Sequence, residues 1–547
     1  MAHLSDLPPE LVLCILRLSD VATILRVSET CRFLHNVVFD KSCWIDVVRD
    51  LQRRGIIDDP ERVHEFSAED LVQLVRRASL GPPSWIPSIN PEPKGHSTLK
   101  STQSTVPVPD PSAYWLSAKL LPGGRHILIN SGGELSCNNV AEGACIWRYK
   151  SLLPGNPSEI RVLEFHFANE VGESGQHTIL ICLEGEHGDY VDVVELDVAM
   201  GSHRVLLSAR VPVSDTMSNG ILCNPVVCGT LAAVGIHPDR SLYLIVDLAQ
   251  QLAFILEFQF DCRDDERDPD NAQQLFLLDL APGYIVVRAR SLSGTEEHLH
   301  IISAEIAFRR YGRELPPLNA RIPYAKTSKY YNVAQLGSNE FKEAILITQV
   351  ITETSLPDSY ECNRVMQYIE NTLGPDAAAY GALRVFADPL RDDVFRIWVY
   401  ISATRIERED SGRRYRSGLR ISYQAPHSQD DDWFTGYGVD GLLCLYELDV
   451  SVLPAQKPRL REVRRGPAPA AVVCSGLTSS GHVTVMASST LEIYPPFALL
   501  PVPMRWEVDS QQDPETGRAE RWNANVAAYT GDVTLANRRA IVVHRFA

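Results

Sequence analysis

The sequence predicts two kinds of structure in one chain, short helices up to about residue 80 and β-strands from residue 113 onward. Three observations support this division. In the first 80 residues apolar side chains recur three and four positions apart, as they do on helices. A Pro- and Ser-rich stretch, 81–112, follows. After it, short runs of Val, Ile, Leu and Tyr alternate with Gly, Asp, Asn and Pro at intervals of about ten residues, which is typical of an all-β domain.

The first helix is predicted to begin at Pro8 or Pro9, because a proline at the first helical position loses no hydrogen bond. The six residues Leu11 to Leu16 are all apolar, more than a single buried stripe requires. Asp20 or Ser19 is the expected N-cap of a second helix. The apolar positions of this second helix and of a third are Ile24, Val27, Cys31 and Leu34, then Trp44, Val47, Val48 and Leu51. Three helices this short bury little surface, so part of the first is expected to contact another protein.

These helices resemble the F-box family. The matching positions are Leu7-Pro8, Glu10-Leu11, Ile15-Leu16, Ile24-Leu25, Thr30-Cys31-Arg32 and Trp44. Two positions depart from the family pattern: Ser19 replaces a leucine, and Leu34 stands where an aromatic residue is common. The resemblance covers residues 1–51 and implies docking on the Skp adaptor of a Skp–cullin–F-box ubiquitin ligase. The residues it implies for this contact are Leu7, Pro8, Leu11, Ile15, Leu16, Ile24, Leu25, Val27, Cys31 and Trp44.

The alternative interpretation of residues 1–51 is an ordinary helical cap on the larger domain. A helical extension is predicted over residues 52–80, where Ser67 and Asp70 have capping-box spacing and Gly81 follows the last turn. Residues 81–112 are predicted to be a linker, in which Trp85 is expected to pack on a neighbouring domain.

Residues 113–547 are predicted to form an irregular, WD-like β-propeller of six or seven blades that binds the substrate. The sequence Val194-Glu-Leu-Asp-Val198 recurs as Tyr446-Glu-Leu-Asp-Val450, and weaker copies stand at 246–248 and 278–280. In each, an apolar strand ends in an aspartate that can accept bonds from a turn. The segment Leu120 to Ile129 is expected to be a strand–turn–strand, and Arg539 to Phe546 the strand that closes the ring.

This layout of F-box, helical extension and irregular propeller is similar to that of a large group of fungal F-box proteins. No Trp-Asp dipeptide occurs, so a sandwich or two smaller β domains stay open as alternatives. One helix is expected inside the β domain, from Tyr360 to Leu373.

Charge and composition restrict the classes of function that the sequence predicts. The net charge of −17 argues against a nucleic-acid or anionic-membrane binder, because phosphates attract Lys and Arg. No apolar run approaches the roughly 20 residues of a membrane span, and no signal peptide is evident. The twelve cysteines contain no Cys-x-x-Cys pair and are interpreted as reduced thiols. The expected location is therefore the cytoplasm, the nucleus or both.

No catalytic, metal or cofactor motif is recognised. P-loop, nucleophile-elbow and dinucleotide patterns do not occur, and His298-x-His300 has no further ligand at a useful spacing. The acidic runs 264–266 and 430–432 are interpreted as solvated loops. The chain is therefore expected to be a non-catalytic subunit that recruits an unknown protein substrate to the cullin complex. A Skp-bound scaffold outside any ligase and a propeller enzyme are the alternatives.

Arginines form two local groups in this acidic chain. If they share one rim of a propeller, they could receive an acidic or phosphorylated substrate segment; ordinary surface salt bridges are the alternative. The first group, the candidate substrate-binding patch, is Arg405, Arg408, Arg413, Arg414, Arg416 and Arg420. The second is Arg459, Arg461, Arg464 and Arg465.

Overall fold

Both predicted regions are present in the computed structural model. It describes residues 7–57, 63–85, 101–110, 113, 116–151, 160–170, 175–185, 188–210, 221–237, 242–257, 277–290, 297–314, 354–355, 377–405, 441–450, 458–468, 474–487, 490–497, 504–508 and 522–546. The predicted helix at 360–373 and both acidic runs lie outside these residues.

Within the described residues, the N-terminal region contains five α-helices and the β domain contains one more. They are Pro9–Leu16 (α1), Val21–Ser28 (α2), Arg32–Val38 (α3), Lys41–Arg53 (α4), Ala68–Leu80 (α5) and Ala304–Tyr311 (α6). Short 3-10 turns span Val63–Glu65 and Pro83–Trp85. The predicted caps are confirmed: Asp20 accepts from the N–H of Thr23 at 2.8 Å, and Ser67 and Asp70 form a capping box. We call α1 to α5 together the helical unit.

The predicted second helix is wrong in one respect, because the structure divides it into α2 and α3. The hydroxyls of Ser28 and Thr30 donate to the carbonyls of Leu25 and Val27, at 2.6 and 2.7 Å, and so satisfy acceptors at the end of α2. Cys31 then adopts an extended conformation and begins α3. The chain turns there, so that apolar side chains of both helices face one core.

The β domain is a ring of seven antiparallel sheets, numbered here as blades in chain order. Blades 1 to 3 contain Leu116–Leu120, His126–Ser131, Glu134–Asn139 and Cys145–Arg148; Arg161–Phe167, Gln176–Gly185, Gly188–Asp197 and Ser202–Arg210; and Ile221–Cys228, Leu231–His237, Leu242–Asp247 and Leu252–Glu257, with Arg313–Glu314 as an added edge strand.

Blades 4 to 7 complete the ring. Their strands are Leu277–Ala281, Tyr284–Arg290, Glu297–Ser303 and Thr354–Ser355; Ala377–Ala387, Val394–Arg405, Gly441–Asp449 and Arg459–Ala468; Cys474–Leu477, Val483–Ala487, Thr490–Tyr494 and Met504–Glu507; and Asn523–Val526, Val533–Ala536, Ile541–Phe546 and Ser101–Val106. First strands of neighbouring blades contact one another and form the inner wall. The prediction of six or seven blades is confirmed, with seven.

Blade 7 closes the ring with a strand from before blade 1. Ser101–Val106 pairs antiparallel with Ile541–Phe546, from Ser101 opposite Phe546 to Val106 opposite Ile541. Closure at the last strand was predicted, but the assignment of residues 101–106 to the linker was wrong. This strand lies at a sheet edge and buries only Val106 fully, so its polar sequence resembles that of a linker.

The repeated strand-end aspartates bind turns as predicted. Asp197 accepts from the N–H of Met200 at 2.9 Å, and Asp247 from those of Ala249 and Gln250 at 2.9 and 3.1 Å. Both residues end the third strand of their blade, and Asp449 occupies the same position in blade 5. These positions mark one blade each in the sequence.

The copy at 278–280 is different, because Asp279 lies in the first strand of blade 4. Its carboxylate accepts from the N–H of Leu280 and from that of Val385 in blade 5, both at 2.8 Å. Asp279 therefore links two neighbouring blades rather than closing a turn.

Candidate functional site

Helix α1 exposes a row of apolar side chains on one face. Leu11 is 51% exposed, Ile15 44% and Leu18, just beyond the helix end, 92%. These residues are four and three positions apart, so they lie on one side of the helix. Pro8 precedes them on the same side and is also exposed. We call Pro8, Leu11, Ile15 and Leu18 the α1 row.

The opposite side of α1 is buried. Val12 and Leu16 pack into the core of the helical unit with Trp44, Val48 and Leu51 of α4. Arg17 and Asp46 form an ion pair at 2.7 Å between the end of α1 and α4. The helical unit therefore holds α1 in place, while one apolar face of α1 is left uncovered by the described part of the chain.

The ten residues implied for adaptor contact fall into three groups. Pro8, Leu11, Ile15 and Cys31 are exposed, Leu7, Leu25 and Val27 are half-buried, and Leu16, Ile24 and Trp44 are buried. The buried group shapes the helical unit and is not available to a partner. Sequence reasoning missed Leu18, because it follows the predicted helix and belongs to no motif position; its spacing of seven from Leu11 was the available signal.

The helical unit packs directly on the propeller. One apolar cluster includes Leu16, Ile24 and Leu71 of the helices together with Trp398 and Leu477 of blades 5 and 6. The N–H of Ala22 donates to the carbonyl of Leu390 in blade 5 at 2.8 Å.

The structure confirms the prediction that Trp85 packs on a neighbouring domain. Its side chain is fully buried, edge-on to His482 at 5.3 Å and to Phe546 at 5.5 Å between ring centroids. This contact and the apolar cluster described above together place the helical unit against blades 5, 6 and 7.

Three arginines add polar bonds to this contact. Arg54 donates to the Asp392 carboxylate and to the Asp388 carbonyl, both at 2.7 Å. Arg77 donates to the Asp532 carboxylate at 2.9 Å, and Arg396 of blade 5 donates to the Ser79 carbonyl of α5 at 3.1 Å. These partly buried, charge-assisted bonds hold α4 and α5 against turns between the first and second strands of blades.

Asp388 organises the turn that receives the helical unit. Burial alone would raise its pKa, but Arg396 and Arg391 beside it, with the N–H of Leu390, bring the pKa below the usual value. Its carboxylate is 2.9 Å from Arg391, which also pairs with Glu447. The ionised form is therefore the one that the folded protein stabilises.

The turn after α4 closes one mouth of the central channel. Gly55 has φ +67°, and a Cβ at this position would lie 1.5 Å from the carbonyl oxygen of Asn169 in blade 2. Arg54, Gly55 and Ile56 line a cavity of about 220 Å³ whose other walls are mainly first strands of the blades. The helical unit therefore covers the channel mouth on this face.

A larger cleft, of about 930 Å³, separates the helical unit from blades 1 and 2. Leu18, Arg49 and Arg53 line it on the helical side, and Arg125 and His177 on the propeller side. Leu18 is also the last residue of the α1 row, so the cleft adjoins that row.

The two arginine groups do not share a rim, as far as the described residues show. The strand register places Arg405 and Arg459 at opposite ends of blade 5. Arg405 lies just beyond Ser402, at the end where Gly441 pairs with Ser402 and with Ala468. Arg459 pairs with Asp449 at the other end. In the second group, Arg461 pairs with Glu447 at 2.7 Å and Arg464 lies over the Phe497 ring at 4.7 Å. Arg408, Arg413, Arg414, Arg416 and Arg420 lie outside the described residues, so the first patch stays a prediction.

His298 and His300 lie in one strand of blade 4, and His300 is buried. Within the described ranges, no group of three or more His, Cys, Asp or Glu side chains could hold a metal ion. None of the described helices is both long enough and apolar enough to span a bilayer.

Comparison with known proteins identifies the N-terminal region. The F-box-like family model matches residues 4–50. No curated protein sequence matches the chain. Solved structures similar to it include the WD40 domain of SCAP from fission yeast, with 8% identity and a TM-score of 0.34 over 79% of this chain and 84% of that one.

Two further similar structures are the N-terminal domain of Nup159 and a prolyl endopeptidase. The first has 11% identity and a TM-score of 0.34, covering 82% of this chain and 98% of that one. The second has 8% identity and a TM-score of 0.33, covering 82% of this chain and 48% of that one. The fold itself rests on the seven sheets described above.

Proposed function

From the F-box-like domain at residues 4–50 and the seven-bladed propeller that follows it, we propose that this chain is the substrate-recognition subunit of a Skp–cullin–F-box ubiquitin ligase. The helical unit docks on the Skp adaptor, and the propeller recruits a protein substrate. The chain supplies no catalytic group, because ubiquitin transfer belongs to other subunits. Its place of action is the cytoplasm or the nucleus.

The α1 row is the observation that carries this proposal. Leu11, Ile15 and Leu18 form a continuous apolar strip that none of the described residues covers, although the rest of the helical unit is packed on the propeller. Contiguous exposed apolar surface of this kind marks protein–protein contact sites. It lies within the segment that matches the F-box-like family, which makes the Skp adaptor the expected partner.

The direct test is co-purification of the full chain with the Skp adaptor. The double variant Leu11→Asp with Ile15→Asp places two charges in the α1 row, and we expect a loss of about 2–4 kcal/mol of binding free energy, roughly 30- to 700-fold in Kd. Leu80→Asp is the matched control, because Leu80 is a helical leucine of equal exposure, 50%, outside the F-box-like segment. Equal adaptor binding by the double variant and the control would contradict the proposal.

Recruitment of the cullin separates the ligase from a scaffold that only binds the adaptor. We expect the chain, the adaptor and the cullin to elute as one complex and to support ubiquitin transfer to a captured substrate. A stable pair of chain and adaptor that excludes the cullin would instead identify the scaffold.

A further inference from the structure

The cavity beneath the helical unit has a basic wall. Lys119, His166 and Arg384 line it from the first strands of blades 1, 2 and 5, and Arg54 to Ile56 form its roof. Lys119 and His166 are half-buried, and Arg384 is exposed to the cavity. Three nitrogen-bearing side chains therefore converge on one enclosed space.

These three side chains have unused hydrogen-bonding capacity. The ammonium of Lys119 donates one bond, to the Phe165 carbonyl at 2.7 Å, although it has three N–H groups. Arg384 has five N–H groups, and its one hydrogen bond among the described residues is a long one, 3.4 Å to the Leu383 carbonyl. The Nδ1 atom of His166 is buried and has no hydrogen-bond partner within the described part of the chain.

The carboxylates of the inner wall are satisfied by other groups. Asp279 accepts from two backbone N–H groups at 2.8 Å, and Glu164 accepts from the N–H of Asn224 at 3.2 Å. Glu170 is approached by the thiol of Cys228 at 3.7 Å. Among the described residues Lys119 and Arg384 form no ion pair at contact distance, although Glu164 acts electrostatically on Lys119 and Arg384 on Asp279. The acids of the wall thus accept hydrogen bonds from backbone N–H groups or from a thiol, and the bases keep N–H groups that can bind a ligand.

We propose that this cavity binds an oxyanion, a carboxylate or phosphate group, held by Lys119, His166 and Arg384. A volume of about 220 Å³ accommodates one such group with a short carbon chain. Because the helical unit closes one mouth, we expect the ligand to enter from the opposite side of the ring. The source is a free small anion or an acidic side chain of a bound protein. The site does not depend on the proposed adaptor contact.

Burial affects both the basic and the acidic groups of the wall. It lowers the pKa of Lys119, and burial with the nearby charges of Lys119 and Arg384 lowers that of His166. Burial also raises the pKa of Asp279 and of Glu170, although the nearby charge of Arg384 acts in the opposite direction on Asp279. A bound oxyanion would favour the charged form of Lys119 and so restore its ordinary pKa.

The test is isothermal titration of the full-length protein with inorganic phosphate, at an ionic strength held constant with chloride. We expect saturable binding to one site. Arg384→Gln removes the charge and should weaken binding about tenfold or more, and Arg384→Lys should retain part of it. Lys119→Met is an independent variant, so the proposal stays testable if Arg384→Gln does not fold.

Arg461→Gln is the matched control, because Arg461 lies in the outer strand of the same blade, paired with Glu447 and far from the channel. It should bind phosphate as the unmodified protein does. Two results would overturn the proposal: no saturable binding of phosphate or of the peptide described below, or equal binding by Arg384→Gln, Lys119→Met and the control.

A second titration distinguishes the two sources. The probe is a short acetylated peptide rich in glutamate, compared with the same peptide carrying glutamine. Tighter binding of the glutamate peptide than of phosphate would identify a protein side chain as the ligand. Binding of phosphate alone would identify a free small anion.

Discussion

The helical unit has two apolar surfaces, which differ in whether the propeller covers them. The surface formed by α4, α5 and Trp85 is covered by the propeller and fixed by Arg54, Arg77 and Arg396. The α1 row has similar side chains, but none of the residues that the structure describes covers it. The two surfaces differ in their polar surroundings. The covered surface is bordered by charged groups that donate hydrogen bonds to acceptors in the propeller turns. Residue composition alone would not distinguish the two surfaces.

The largest expected effect comes from removing the aromatic anchor of the covered surface. Trp85→Ala should lower the free energy of unfolding by about 3–5 kcal/mol, because it leaves a cavity between α5 and blades 6 and 7. Chemical denaturation monitored by circular dichroism measures this change. If the variant unfolds like the unmodified protein, the helical unit is not anchored by Trp85.

A smaller decrease in the free energy of unfolding is expected when one polar bond of the same surface is removed. Arg77→Gln removes one charged partner of Asp532, whose side chain is almost fully buried, and should lower the free energy of unfolding by about 2 kcal/mol. Arg53→Gln is the control, because Arg53 is exposed and, among the described residues, pairs with Asp50 of its own helix. The two variants are compared in the same denaturation experiment, and equal stability would show that the Arg77 bond contributes nothing.

The covered surface should also weaken in acid. The pKa of Asp388 is lowered in the folded protein, so its contribution is complete above the pKa of an unfolded aspartate, about 3.9, and is lost as the pH falls through the folded value. The stability difference between the unmodified protein and Asp388→Asn should therefore shrink as the pH falls from 7 into that range. Unfolding titrations across this range test it, and a difference that grows on acidification would contradict it.

The smallest effect on stability is expected at the α1 row. The double variant Leu11→Asp with Ile15→Asp should change the free energy of unfolding of the isolated chain by no more than about 0.5 kcal/mol per site, because both side chains already face solvent. Thermal denaturation without the adaptor measures it. A loss comparable to that of Trp85→Ala would mean that the row packs within the protein, and the comparison between the surfaces would fail.

Local signals in the sequence predicted local structure. The caps Asp20 and Ser67, and the turn-binding aspartates Asp197 and Asp247, appear at their predicted positions because each bonds to backbone a few residues away. Seven blades were within the predicted range, since the strand spacing reflects the repeat length.

Contacts between distant residues were not predicted. The partners of Arg54 and Arg77 are more than 300 positions away, and one sequence carries no mark of such pairs. The break at Cys31 was missed because its side chain suits a helix interior as well as a surface. The edge strand Ser101–Val106 was missed because it has little to bury.

Ring closure in blade 7 has a consequence for synthesis of the protein. Ser101–Val106 leaves the ribosome early, whereas its partner Ile541–Phe546 is translated after all the other blades. Pairing across so many intervening residues is slow, because loop-closure entropy must be overcome first. Until then Ser101–Val106 is an unpaired strand edge, which a molecular chaperone would have to shield from aggregation.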